Sequence, residues 1–173
     1  MKNGAIMNSI FKRVSVRKFD GKAIEDDKIE SLLHAGMAAP SGGNQQPWQF
    51  VVVTDAATNE QLGETSKFSK PAAAAPLNIV PVIDRSNARF PELAQLDLSA
   101  CVENILLEAT ELGLGGVWLC VYPEQDRMQH VRATLGIPDE LEPFAIVSIG
   151  YPAEEPHPQQ ERFDKARIHR NRW

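Results

Sequence analysis

The chain has 173 residues, 43% of them hydrophobic, enough to bury the core of one domain. Its formal net charge of -5 and sequence pI near 5.4 argue against a surface built to neutralise many phosphates, and so against a nucleic-acid binder. The opening stretch MKNGAIMNSIFKRVSVRK has no apolar leader core and no run long enough to cross a bilayer, so neither a membrane partner nor export is expected and a cytoplasmic protein is the default.

Residues 8–19 read as a short helix running into an extended arm in which Val14 and Val16 alternate with Ser15 and Arg17. Over residues 24–38, Ile29, Leu32, Leu33 and Met37 fall at helical spacing, and the helix stops before Pro40. Residues 40–47 form a loop, and residues 49–54, with three successive valines, form a buried strand. The next segment is polar and then alanine-rich; a helix is expected over 61–68, with Pro71 and Pro76 breaking it. A second strand follows at 78–83, and Pro81 places it at an edge or a strand end.

The clearest periodicity lies over residues 96–112. Leu98, Cys101, Val102, Ile105, Ala109 and Leu112 mark one face of a long core helix that closes on Gly113, Gly115 and Gly116. A strand at 117–121, a helix at 124–135 closed by Gly136 and a strand at 144–150 complete the body. The tail, residues 151–173, begins YPAEEPHPQQ and has no apolar period, so it reads as an extended or polyproline arm. It nevertheless carries Phe163, Ile168 and Trp173, anchors too large to leave in water.

Arg13, Ser15 and Arg17 alternate along an extended segment and could converge on one phosphate, because arginine donates in a planar fork; from these letters alone a solvated basic edge is the stronger reading. In PSGGNQQPW, Gly42 and Gly43 permit close backbone approach, and Ser41 and Asn44 offer polar groups to a ring. The same letters are the normal vocabulary of a turn. The glycines of GLGGVWL follow a helix and precede a strand, the reverse of a dinucleotide fingerprint. Lys165 and Arg167 form a second basic cluster in the tail. Cys101 and Cys120 read as buried thiols in a reducing compartment. His34, His130, His157 and His169 lack metal-ligand spacing, so no metal is expected. Asp97, Glu103, Glu108 and Glu111 read as the polar face of the long helix rather than an acid–base pair.

In this order the pieces resemble the nitroreductase family of FMN-dependent oxidoreductases, in its short form. The resemblance rests on R-x-S-x-R-x-F at 13–19, A-P-S-x-x-N-x-Q-P-W at 39–48, L-D-L-S-A at 96–100, E-L-G-L-G-x-x-W at 111–118 and the K-x-R tail. It implies an α+β fold, a central mixed β-sheet flanked by helices, in an intertwined homodimer. The chain would then be a single FMN-binding domain over residues 1–173, with 151–173 as an extended arm. It further implies that Arg13, Ser15 and Arg17 hold the FMN phosphate and ring edge, and that Pro40, Ser41, Gly42 and Asn44 pack on the isoalloxazine from the partner subunit. Trp118 and Leu119 would line one face of the flavin, and Arg167 and Lys165 would add phosphate contacts. Lys67 and Lys70 are candidates for a ring contact. Where many longer members carry glutamate and glycine beside the flavin N5, this chain has Cys120 and Val121, and it lacks the inserted helices that cover the substrate channel.

The implied activity is NAD(P)H-dependent reduction of a small conjugated acceptor: a nitroaromatic, quinone or enone. The cofactor carries the chemistry, so no catalytic side chain is assigned. Two alternatives use the same site: a flavin-sequestering protein with little turnover, and a specialised member such as a flavin-dependent dehalogenase.

Overall fold

The computed structural model describes residues 9–173; the expected helix start at Asn8 lies outside them. Five strands form the sheet: β1 (Trp48–Val53), β2 (Leu77–Ile83), β3 (Gly115–Cys120), β4 (Glu142–Pro143) and β5 (Ala145–Gly150). Their order is β1-β2-β5-β3, with β4 also on β2. All ladders between these strands are antiparallel, with Trp48 opposite Ile83, Leu77 opposite Ile149 and Cys120 opposite Ala145. The parallel component is a single bridge between Ser15 and Gly116.

The period-2 alternation of β2 and β5 decides which helices cover which face. Leu77, Ile79, Ala145, Val147 and Ile149 face one apolar cluster together with Leu98, Cys101, Val102 and Ile105. Those last four lie on the long helix α5 (Ala94–Glu111), which packs with α2 (Asp26–Met37). Val80, Val82 and Ile146 face a second cluster with Leu62, Ala72, Met128 and Val131. These come from α3 (Ala56–Gly63), α4 (Lys70–Ala74) and α6 (Gln125–Leu135). Both faces of β2 and β5 are covered, and every residue of each is buried. A four-residue helix α1 (Ser9–Lys12) precedes the arm.

Several expectations are corrected. The helix placed at 61–68 is α3, which ends at Gly63, and Pro71 does not break a helix but sits in the first turn of α4, where a missing N–H costs nothing. Pro81 lies in an interior strand, between β1 and the β4–β5 side. Its carbonyl accepts from the Phe144 N–H at 2.9 Å. The ladders on that side cover Leu77 to Ile79 and then Val82 to Ile83, so the absent proline N–H falls in the gap between them. Cys101 is buried as expected, but Cys120, the last residue of β3, is exposed. Asp97 is buried rather than on a polar face.

Candidate active site

The extended arm is the first piece of the site. The Val16 N–H donates to the Gly116 carbonyl at 3.0 Å, and Ser15 bridges to Gly116. This lays the arm along the start of β3, where Gly115 has no side chain in the way. A Cβ there would stand 2.6 Å from the Cβ of Val16, a separation real side chains do not reach. Beyond Gly116, the remaining edge of β3 pairs with no other strand among the described residues.

Arg17 leaves the arm into a cleft of about 540 Å³ beside that edge, within the range that holds a small cofactor. One wall is Val117, Trp118, Leu119 and Cys120; the others are the segment from Ser66 to Pro71 and Arg127 of α6. Trp118 is half-buried, its ring tilted at 58° to Phe144 with centroids 5.7 Å apart. Lys67, Lys70 and Arg127 join Arg17 as cleft-lining cations, and among the described residues none of the four is in an ion pair. Among the described residues no carboxylate lines the cleft.

The segment carrying the two lysines is fixed from below by buried amides. Asn78 of β2 donates to the Ala72 carbonyl and to Asn59 Oδ1, both at 2.9 Å. Asn59 donates to the Ala75 carbonyl at 3.1 Å, and Ser148 Oγ donates to Asn78 Oδ1 at 2.6 Å. All three side chains are buried, and a buried amide network of this kind rigidifies what it holds only when its members are satisfied.

The other expected residues lie elsewhere in the single chain. Ser15 lines a groove beneath the tail, with Arg17 at the boundary between groove and cleft. The Nε of Arg13 is 3.3 Å from Glu103 of α5, and Arg13 does not line the cleft. Pro40, Ser41, Gly42 and Asn44 form a separate loop, and Lys165 and Arg167 lie in the exposed tail, where Arg167 meets Asp164 at 3.3 Å. Neither the loop nor the tail pair lines the cleft.

The loop is nonetheless held tightly. The Asp97 carboxylate accepts from the Gly42 N–H at 2.9 Å and from the Gln45 amide at 2.7 Å, and the Phe90 N–H donates to Gln45 Oε1 at 2.8 Å. Gly43, Asn44 and Gln46 all adopt positive φ, at 57°, 55° and 49°, a region non-glycine residues enter at a cost of about 1–3 kcal/mol. Such strain persists only where the surroundings over-determine the backbone. Reading Asp97 as part of a polar face missed its place under the loop, and neither Gln45 nor Arg127 gave a sequence signal.

The cleft therefore offers a half-buried aromatic wall, an open strand edge and unpaired cations, a donor set that fits a flat ligand ending in an anion. The family model of the nitroreductase family matches residues 10–82 and 67–151. The chain belongs to the nitroreductase family. A nitroreductase relative from Archaeoglobus fulgidus, provisionally named NADH dehydrogenase/NAD(P)H nitroreductase, is 41% identical over 170 residues, covering 96% of this chain and 98% of its own. A crystal structure under the same provisional name from Bacteroides thetaiotaomicron is 37% identical and superposes with a TM-score of 0.92, covering 99% of this chain and all of that one. An FMN-dependent nitroreductase from Clostridium difficile gives 0.90 at 28% identity, covering 97% of this chain. The α+β nitroreductase fold expected from the motifs is the observed one. Among the described residues no cluster of His, Cys, Asp or Glu is arranged to hold a metal, and no helix is long and apolar enough to cross a membrane.

Proposed function

We propose that this nitroreductase binds FMN in the cleft beside β3 and uses NAD(P)H to reduce a small conjugated acceptor such as a nitroaromatic, quinone or enone. The observation that carries the reading is that Arg17, Lys67 and Lys70 meet the wall of Trp118 and Leu119 in one cleft. Arg17 and the lysines would hold the phosphate and the polar edge of the ring, and the Trp118 wall its flat face. The chemistry a bound flavin supplies is acceptance and donation of hydride, so the chain's own task is placement, stacking and charge.

The contacts expected of the 40–44 loop and of the tail pair we assign to a second copy of the chain. The 40–44 loop is rigid, exposed at Pro40, Gly43 and Asn44, and lies apart from the cleft of its own chain. Lys165 and Arg167 are exposed and lie beyond Gln159, which bonds the tail to the body. A homodimer would bring both into reach of the partner's flavin.

The test begins with purified protein reconstituted with FMN. A yellow preparation that bleaches anaerobically with NAD(P)H and recovers colour on adding a nitroaromatic or quinone is the expected result. Failure to retain any flavin removes the reading. Binding without bleaching leaves a sequestering protein in its place.

A further inference from the structure

Among the described residues four cations line the cleft and no carboxylate does, in a chain whose net charge is -5. The excess is local. A phosphate monoester carries about -1.5 to -2 charge at neutral pH, which two cations balance, and four are present.

Arg127 differs from the other three in origin. It comes from α6, beyond the end of β3, whereas Arg17 belongs to the arm and the lysines to the segment before β2. Its Nη1 donates to the Cys120 carbonyl at 3.0 Å. That bond fixes the guanidinium beside the strand end, and its other nitrogens bond to no described residue. A planar fork anchored at one corner and open at the rest is suited to a carboxylate or phosphate arriving from solution.

We propose that Arg127 recognises an oxyanion on the small molecule that exchanges electrons in this cleft. The inference rests on the flavin reading above and adds to it the charge of the second substrate. The oxyanion could belong to a carboxylate-bearing acceptor or to the 2′-phosphate of a reduced nicotinamide donor, and the two are separable by experiment.

Benzoate and benzamide, matched in size and differing in charge, are titrated by calorimetry into FMN-loaded wild type, Arg127→Gln and Arg127→Lys. The wild type is expected to favour benzoate. The benzoate-to-benzamide affinity ratio should fall about tenfold or more in Arg127→Gln, the loss of one charge-assisted bond, and recover in part in Arg127→Lys, which restores charge without the fork. A wild type indifferent to the charge, or a ratio unmoved by Arg127→Gln, overturns the proposal. Comparing kcat/KM for NADPH and NADH in the same proteins then names the source. A ratio that falls with the benzoate preference places the donor's phosphate at Arg127, and a constant ratio leaves the acceptor. If the protein takes up no flavin, the flavin reading fails by itself, and benzoate titration of the flavin-free chain still reports on Arg127.

Discussion

Asp97 shows how a single side chain can hold a strained loop. Its carboxylate is buried yet satisfied by the Gly42 N–H and the Gln45 amide, so Asp97→Ala would strand both donors. Hydrogen bonds to charged groups contribute about 1.5–3 kcal/mol, and a loss of that order is expected in urea unfolding; an unchanged midpoint would show the loop is held by other contacts. The residue was legible in principle: it stands three after Ala94 and four before Cys101, inside the apolar stripe of α5. A carboxylate in that register signals a buried partner, and its charge alone misled. The two thiols divide in a similar way. Burial pushes the Cys101 thiol up to about 12, so it stays protonated and shielded, whereas Cys120 lines the cleft and is exposed. A disulfide reagent should modify Cys120 readily in the native protein and Cys101 only on unfolding. Saturation with FMN should slow the Cys120 reaction; an unaltered rate in flavin-loaded protein would place the flavin elsewhere.

Between elements, the decisive contact is the arm lying on β3. Gly115→Ala would bring a Cβ to 2.6 Å from Val16, and the strand end, paired on its other side with Gly150, has little room to yield. Overpacking of this kind costs about 1–3 kcal/mol, and here it should also move Arg17 from the cleft. Weakened FMN affinity beyond the loss of stability is the expected signature; full affinity would show that the arm tolerates displacement. A second tie joins the start of the tail to α2, where the Tyr151 hydroxyl donates to Glu25 at 2.7 Å and Lys22 Nζ lies 3.1 Å from the same carboxylate. The Tyr151 bond, then backbone and Lys22 bonds, lower the Glu25 carboxyl from 4.5 to about 2. A depressed carboxyl gives stability that is complete above its unfolded value and is lost as pH falls through the folded one. Tyr151→Phe should therefore flatten the stability–pH curve between about 4.5 and 2 and leave its slope at neutral pH unaltered; the same acid slope in both proteins would remove Glu25 from the account. Element types were largely legible because α5 and α6 carry helical periods and β1, β2 and β5 carry dense apolar runs. Pro71 and Pro81 were not, because proline's cost depends on whether its N–H has a partner to lose, and that is set by neighbours distant in sequence.

At the scale of the whole molecule, the family was legible in the order of its motifs, but which of them meet in one chain was not: Arg17 lines the cleft beside β3, and the 40–44 loop and the tail pair do not. Spacing along a chain does not say which copy a loop serves. The tail carries this question most sharply. Gln159 donates to the Arg13 carbonyl at 3.0 Å and to the Ile10 carbonyl at 3.3 Å, so the tail is tied to the body up to that point. Past it, Phe163 is 68% exposed, Ile168 53% and Trp173 fully exposed, with the His169 ring stacked 4.1 Å from that of Trp173. Burying a side chain of this size contributes about 1.5–3 kcal/mol, and the tail's own chain offers no core for the three. Deleting residues 160–173 keeps the Gln159 tie and the buried core, so the body should remain folded while the proposed homodimer becomes monomeric or short-lived. FMN affinity should fall in the same step, because a cofactor held by two copies and the assembly of those copies stabilise each other by mass action. Sedimentation of the truncated protein with and without added FMN reads both effects. A truncated chain that sediments as a dimer and stays yellow would make the tail a dispensable arm and confine the phosphate contacts to Arg17, Lys67 and Lys70.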